Sequence, residues 1–444
     1  MKNTPSLLSV VRLKKYFPLA KSSLFAKKRQ YLRANEDVTL DIVEGETFGL
    51  VGESGCGKST FGRTLLQLYR PTQGEVIYYG KSLEEIAPRY AFRFLKNAEK
   101  YRADYAKEPS LDGNAHEPEF FAAARILGGL LALSEGDCKR GAALYAEYLR
   151  RPSEVLLHRF TEFKQAAEKS EGFAELEAQT GGVDLARLTT DELRSLRKDL
   201  QIVFQDPYSS LDPRMTVGQI IEEGVATHKF YKRGTPQMRA YILDIMKRCG
   251  LQEHMLHRYP HQFSGGQRQR ICIARALALK PRFVVCDECV SALDASIQSQ
   301  ILNLLSELKE REGLTYLFIS HDLSVVRYIS DRIGVMYLGD IVEQGNAEEV
   351  FENPRHPYTI ALMSAVPTVG KREGERILLK GHMPSPVTPP SGCKFHTRCF
   401  MACEKCRQGK VPVVEVEKGH FVACHFAEKS TAEKQKLARK GEEV

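Results

Sequence analysis

The chain has 444 residues, 43% hydrophobic and 27% charged, with a formal net charge of +8. That length allows two or three domains, and the balance is that of a soluble globular protein rather than a disordered or fibrous one. No stretch reads as a membrane span: the best, Phe120 to Leu133, is too short and carries Arg125, and no apolar core follows Met1 as a signal peptide requires.

A basic stretch opens the chain (Arg12, Lys14, Lys15, Lys21, Lys27, Lys28, Arg29). It reads as a solvated face or as attraction to an anionic cytoplasmic leaflet; no nucleic-acid motif accompanies it. Thr47 to Val51 reads as a short buried strand, and Phe61 to Tyr69 as a helix stopped by Pro71 and Gly74. Between them Gly52-Glu53-Ser54-Gly55-Cys56-Gly57-Lys58-Ser59, followed by Thr60, fits G-x-x-x-x-G-K-[ST]. Glycines let the main chain wrap phosphates, and the helix start offers unpaired N–H groups and a favourable dipole. Lys58 then reaches the β- and γ-phosphates and Ser59 holds Mg²⁺.

Residues 87 to 187 are rich in Ala, Leu, Glu, Lys and Arg with 3.6-residue periodicity, and read as a helical insertion. Leu127 to Asp137, followed by Ala142, Tyr145, Leu149 and Pro152, resembles a single tetratricopeptide helix pair. One such unit cannot bury its own face, so a self-contained helical bundle is the preferred reading. Asp199 to Phe204 reads as a strand ending at Gln205, a possible ligand for Mg²⁺ or water. Ser264 is placed to cap a helix running through Gln269 to Arg275. Arg282 to Cys286 is an apolar strand ending in Asp287 and Glu288, suited to binding Mg²⁺ and to orienting an attacking water; such acids alone are as often merely solvated. Thr315 to Ser320 is a further strand, running into His321. Several strands ending in polar groups fit ligand binding at the carboxyl edge of a parallel sheet. Eleven cysteines are present, and five of them (Cys393, Cys399, Cys403, Cys406, Cys424) crowd the C-terminal part. Four thiolates at such spacings suggest a metal site; the scattered six read as free thiols in a reducing cytosol.

Together these residues resemble the nucleotide-binding subunit of an ATP-binding-cassette (ABC) transporter, over roughly residues 6 to 86 and 188 to 424. Ser264-Gly265-Gly266-Gln267 matches the family signature, Gln205 the Q-loop, Ser291-Ala292-Leu293-Asp294 the D-loop, His321 the switch histidine, and Tyr16 the aromatic that stacks on adenine. The stretches Val203 to Arg214, Tyr259 to Phe263 and His356-Pro357-Tyr358-Thr359 are similar to those of oligopeptide and dipeptide importer ATPases, of the second of their two unequal types. One departure is Cys289, where the family usually has proline after the catalytic glutamate.

The resemblance implies an α/β fold: a P-loop NTPase cassette with a mostly parallel core sheet, an antiparallel β subdomain and a helical signature subdomain. The cassette is expected over 1–86 and 188–350, and a cysteine-containing extension over 351–444, with a disordered or frayed-helix tail from Glu428. The implied function is ATP hydrolysis driving import of oligopeptides or dipeptides, with Glu288, His321 and Gln205 catalytic. The implied partners are a second ATPase forming a heterodimer, two membrane permease subunits and an extracytoplasmic solute-binding protein, with the chain peripheral on the cytoplasmic face. Cys393, Cys399, Cys406 and Cys424 resemble a set that ligates a [4Fe–4S] cluster; zinc on the same thiols, or no metal, are the other readings. Another cargo (nickel, glutathione) and a soluble non-transport ABC ATPase remain the alternative functions.

Overall fold

The computed structural model describes residues 5–20, 29–109, 111, 117–365 and 377–440, with side chains from 436 onward left aside. Lys21, Lys27 and Lys28 of the basic stretch lie outside the described residues. The chain divides into two compact units: Leu7–Ser9 with Gly74–Ser195, and the remainder.

The larger unit is built on an eight-stranded sheet. Its order is Val413–Glu417, His420–Ala423, Asp340–Asn346, Arg332–Tyr337, Thr47–Val51, Thr315–Ile319, Phe283–Asp287, Leu200–Val203. The last five strands are parallel, and the first four pair antiparallel with one another. Thr47–Val51, Phe283–Asp287 and Thr315–Ile319 are buried at every position, as expected for strands covered on both faces. The register aligns Leu50 with Ile319 and Gly334, and Ile319 in turn with Asp287. The carboxyl ends of these parallel strands therefore come out together.

The helix after the phosphate loop is Lys58–Leu65, shorter than the expected Phe61 to Tyr69. It stops because Gln67 adopts a left-handed φ of 56° before Pro71 is reached. The helices Val217–Thr227, Pro236–Arg248 and Gly265–Leu277 pack on one another as the expected signature subdomain.

In the cysteine-bearing extension, Val413–Glu417 and His420–Ala423 form a hairpin that adds two strands to the central sheet. Within the tail expected from Glu428, Thr431–Lys440 is a helix. Thr431 Oγ1 donates to the Pro354 carbonyl at 2.7 Å, and Lys434 is fully buried with Nζ donating to the Ala427 carbonyl.

The smaller unit holds the insertion, which is helical as expected. Its helices include Arg89–Lys96, Ala98–Lys107, Pro118–Leu127, Glu135–Arg150 and Glu154–Ala167. They bury their own core, with Phe94, Ala123, Ala124, Leu131, Cys138 and Ala142 nearly inaccessible. The tetratricopeptide-like reading fails in detail: Leu127 to Asp137 is not a helix of a pair but mainly a connector through the 3₁₀ turn Gly128–Ala132. The strand Gln73–Tyr78 pairs antiparallel with Val183–Asp184. Beside them Glu75 meets Arg125 at 3.1 Å, and Asp184 meets Arg187 at 3.0 Å. Burial, reinforced by the Glu75 carboxylate, pushes the Asp184 carboxyl up to about 7.

Candidate active site

Gly52 follows directly on the strand Thr47–Val51, and the loop ends at the helix Lys58–Leu65. Gly57 caps that helix with φ 111°, and a Cβ there would lie 2.1 Å from the Ala34 carbonyl oxygen. Only glycine serves at this turn. Lys58 is buried, with Nζ donating to the carbonyls of Gly52 at 2.7 Å and Glu53 at 3.0 Å. The Cys56 N–H also donates to the Glu53 carbonyl, and burial pushes the Cys56 thiol up.

The acids stand where the sheet register delivers them. Asp287 is fully buried; Oδ1 accepts the Ser59 hydroxyl at 2.6 Å and Oδ2 accepts from Arg63 at 3.2 Å. A hydroxyl and a carboxylate held together at a phosphate loop are the oxygen donors that Mg²⁺ takes. Glu288 adopts a left-handed φ of 48°, unusual for a residue other than glycine and a form of strain found at functional sites. Its amide donates to the Ile319 carbonyl at 2.9 Å, tying it to the neighbouring strand. One oxygen, Oε2, meets two partners: Gln205 Nε2 donates to it at 3.1 Å and His321 Nδ1 lies 3.2 Å away. Three residues drawn from separate strand ends therefore share one carboxylate oxygen. Cys289 is buried, and hydrogen bonding to its thiol is the main reason the Cys286 thiol is pushed up.

Other expected residues sit apart from this cluster. Ser264 caps the helix Gly265–Leu277 as expected, accepting from Gln267 N–H, while Gln267 returns a bond to the Ser264 N–H. Gly266 packs on Ile297. Asp294 caps the helix Ala295–Glu312 through the Ile297 N–H at 3.0 Å. No hydrogen bond links Ser264, Gly265, Gly266 or Gln267 to the phosphate loop among the described residues. Tyr16 lies on the strand Ser6–Pro18, half-buried, with its hydroxyl bonded to Glu36; burial is the main reason that hydroxyl is pushed up.

Sequence reasoning missed Arg63, which stands one helical turn beyond Ser59, a spacing that could have disclosed it. It also missed Arg398, whose guanidinium grips Glu53 through two bonds of 2.9 and 3.1 Å. Nothing local marks a partner 345 residues away.

The C-terminal thiols form a group. Burial pushes Cys393 up to about 11 and Cys399 up to about 12, and Cys424 and Cys406 add to both shifts. Amide N–H groups point at sulfur: Met401 N to Cys399 Sγ at 3.3 Å, and Phe426 N to Cys424 Sγ at 3.4 Å. The Cys403 and Cys406 sulfurs lie 3.7 Å apart, and backbone donation from Cys406 pulls the Cys403 thiol down. Among the described residues no group of three or more His, Cys, Asp or Glu side chains is placed to hold a metal ion.

Residues 35–117 and 172–291 match the ABC transporter family, and residues 342–406 match the family described as oligopeptide/dipeptide transporter, C-terminal region. The chain is 39% identical over 428 residues to the oligopeptide transport ATP-binding protein AppF of Bacillus subtilis, covering 96% of this chain and 98% of that protein. It is 38% identical to the dipeptide transport ATP-binding protein DppF of Haemophilus influenzae, covering 95% and 97%. Against the oligopeptide transport ATP-binding protein OppF of Salmonella typhimurium it is 37% identical, covering 94% and 95%. The chain belongs to the oligopeptide/dipeptide ABC-transporter ATP-binding protein family. It is therefore an ABC-type ATPase. No helix among the described residues is long and apolar enough to cross a membrane.

Proposed function

We propose that this chain is the ATP-hydrolysing subunit of a peptide importer, paired with a second, unequal ATPase and two membrane permease subunits at the cytoplasmic face. An extracytoplasmic binding protein delivers the peptide. The relatives' names support the cargo class. The observation that carries the chemistry is the single Glu288 oxygen met by both Gln205 and His321, beside the Ser59–Asp287 pair. ATP stacks on Tyr16, and the loop from Gly52 to Thr60 binds its phosphates, with Lys58 at the β- and γ-phosphates. Ser59, Asp287 and Gln205 are the residues that would hold Mg²⁺, which would supply neutralisation of charge on the transferred phosphoryl group. Glu288 accepts the proton of the attacking water, Gln205 fixes the orientation of that carboxylate, and His321 steadies the γ-phosphate. Ser264, Gly265, Gly266 and Gln267, with Asp294, face the nucleotide held by the partner ATPase, so each pocket is completed in trans.

Cys393, Cys399, Cys406 and Cys424 are the residues that would hold a [4Fe–4S] cluster, or zinc on the same thiols; burial raises the thiols of Cys393, Cys399 and Cys424, and among the described residues they are not gathered as a metal site. The N–H groups aimed at Cys399 and Cys424 are of the kind that tune cluster sulfurs. Its role is structural, holding the extension.

Glu288→Gln keeps the size and polar contacts of the side chain but cannot take a proton. In the transporter purified with its membrane subunits, hydrolysis is expected to fall by about 100-fold or more with ATP affinity retained. Unchanged turnover would refute the base assignment, and co-purification with ribosomes instead of membrane subunits would refute the transport reading.

A further inference from the structure

The phosphate-loop pattern leaves the position of Glu53 free, yet here that residue is the most heavily anchored of the loop. Its carbonyl accepts from Lys58 Nζ and from the Cys56 N–H. Its own N–H donates to the Tyr358 hydroxyl at 2.9 Å. Its carboxylate takes both prongs of the Arg398 guanidinium, whose side chain is 8% exposed. Tyr358 and Arg398 come from the C-terminal part of the chain, and both stand on one packed core. Phe395 is buried against Tyr358 and Tyr337, with ring centroids 5.3 and 5.2 Å apart. Met383 places its methyl 3.5 Å from where a Cβ on Gly55 would be.

We propose that Arg398 and Tyr358 are positioning residues for ATP binding: gripping Glu53 from the C-terminal extension, they hold the phosphate loop in the shape that receives the phosphates. The extension is thereby part of the nucleotide site rather than an appendage. The physical reason is that one peptide unit serves both sides. The Glu53 carbonyl sets where Lys58 and the Cys56 N–H point, while the Glu53 N–H and side chain are fixed from the extension. A paired Arg–carboxylate fork resists both translation and twist, so it fixes the peptide's orientation as well as its place.

The inference rests on the ATPase reading, and its test separates the two. Full-length protein is titrated with a fluorescent ATP analogue, its thermal unfolding is followed, and steady-state hydrolysis is measured in the transporter assembled with its partner ATPase and membrane subunits. Arg398→Ala is expected to weaken analogue binding about tenfold and to raise KM in step, with kcat within about twofold, because the fork orders the loop without touching the reacting atoms. Arg398→Lys, which keeps charge but loses the fork, is expected to lose about threefold. Glu53→Gln combined with Arg398→Ala is expected to bind no more weakly than Arg398→Ala alone, as partners in one interaction do. Unchanged affinity in Arg398→Ala, additive losses in the double variant, or a loss confined to kcat overturns the proposal. Should Arg398→Ala not fold, Tyr358→Phe keeps the buried ring and removes only the hydroxyl. It is expected to lose about threefold in affinity, and unchanged affinity there overturns the proposal equally. A parent protein that binds no analogue counts against the ATPase reading instead.

Discussion

At the scale of single residues, Asp287 and Glu288 are neighbours in sequence with opposite surroundings. Asp287 ends a strand in regular conformation, fully buried, with a hydroxyl on one oxygen and a guanidinium on the other. Glu288 turns through a left-handed conformation that aims its carboxylate at Gln205 and His321. The two carboxamide substitutions are therefore expected to differ. Asp287→Asn leaves Arg63 facing a neutral group and weakens the Mg²⁺ donor set, so it is expected to lose both hydrolysis and Mg²⁺-dependent nucleotide affinity and to cost about 2 kcal/mol of stability. Glu288→Gln is expected to lose hydrolysis only. Nucleotide titrations with and without Mg²⁺ distinguish them, and a Mg²⁺-dependent affinity equal to that of the parent would remove Asp287 from the Mg²⁺ site. These positions were legible in the sequence because each lies at a strand end or in a contiguous glycine motif, where local pattern and chemistry coincide. Arg63 and Arg398 were not, because an arginine on a helix or in a cysteine-rich loop carries no mark of the carboxylate it meets in the fold.

At the scale of elements, the helix Pro357–Ser364 shows how burial of a cap becomes a pH dependence. His356 accepts the Tyr358 N–H at 3.0 Å while fully buried, and burial pushes its imidazole down to about 3. An unfolded histidine takes its proton near 6.5. Its contribution is thus complete above pH 6.5 and is lost as pH falls towards the folded value, by roughly 1.4 kcal/mol per pH unit. Asp184, pushed up to about 7, works in the opposite sense, favouring the fold at low pH and losing that contribution as pH rises. A comparison of parent with His356→Asn cancels that term. Asparagine keeps a capping oxygen and does not titrate, so the urea midpoint of the variant is expected to fall less than the parent's between pH 7 and 5. Parallel falls would show that His356 does not drive acid destabilisation. The strands of the parallel core were readable as continuous apolar runs. The hairpin Val413–Ala423 was passed over although Val413-Val414-Glu415-Val416-Glu417 alternates and Lys418-Gly419 marks a turn. Its surroundings of cysteine and proline obscured a period-two signal.

At the scale of the whole molecule, the helical character of the insertion was readable from composition, but the limits of its compact unit were not. The sequence suggested 87 to 187, whereas the smaller unit runs from Gly74 to Ser195 with Leu7–Ser9. The reason is ionic. Glu75 precedes the insertion, yet its carboxylate is buried against Arg125 and Arg187, and Asp184 shares Arg187. A strand before the insertion is thereby bound to a helix within it and to a short strand at its end, a tie that no window of sequence displays. Arg125 also donates to the Gln179 carbonyl at 3.3 Å. Arg125→Met keeps the volume but leaves Glu75 and Asp184, two buried acids, with one guanidinium between them. Breaking a buried pair from one side costs about 3 kcal/mol, so amide exchange in the helices Pro118–Leu127 and Glu135–Arg150 is expected to quicken by about 100-fold. Affinity for the ATP analogue is expected to stay within about twofold, since Arg125 touches nothing at the phosphate loop. Exchange as slow as in the parent would show that the apolar core of the helices, not this ion cluster, holds the smaller unit together.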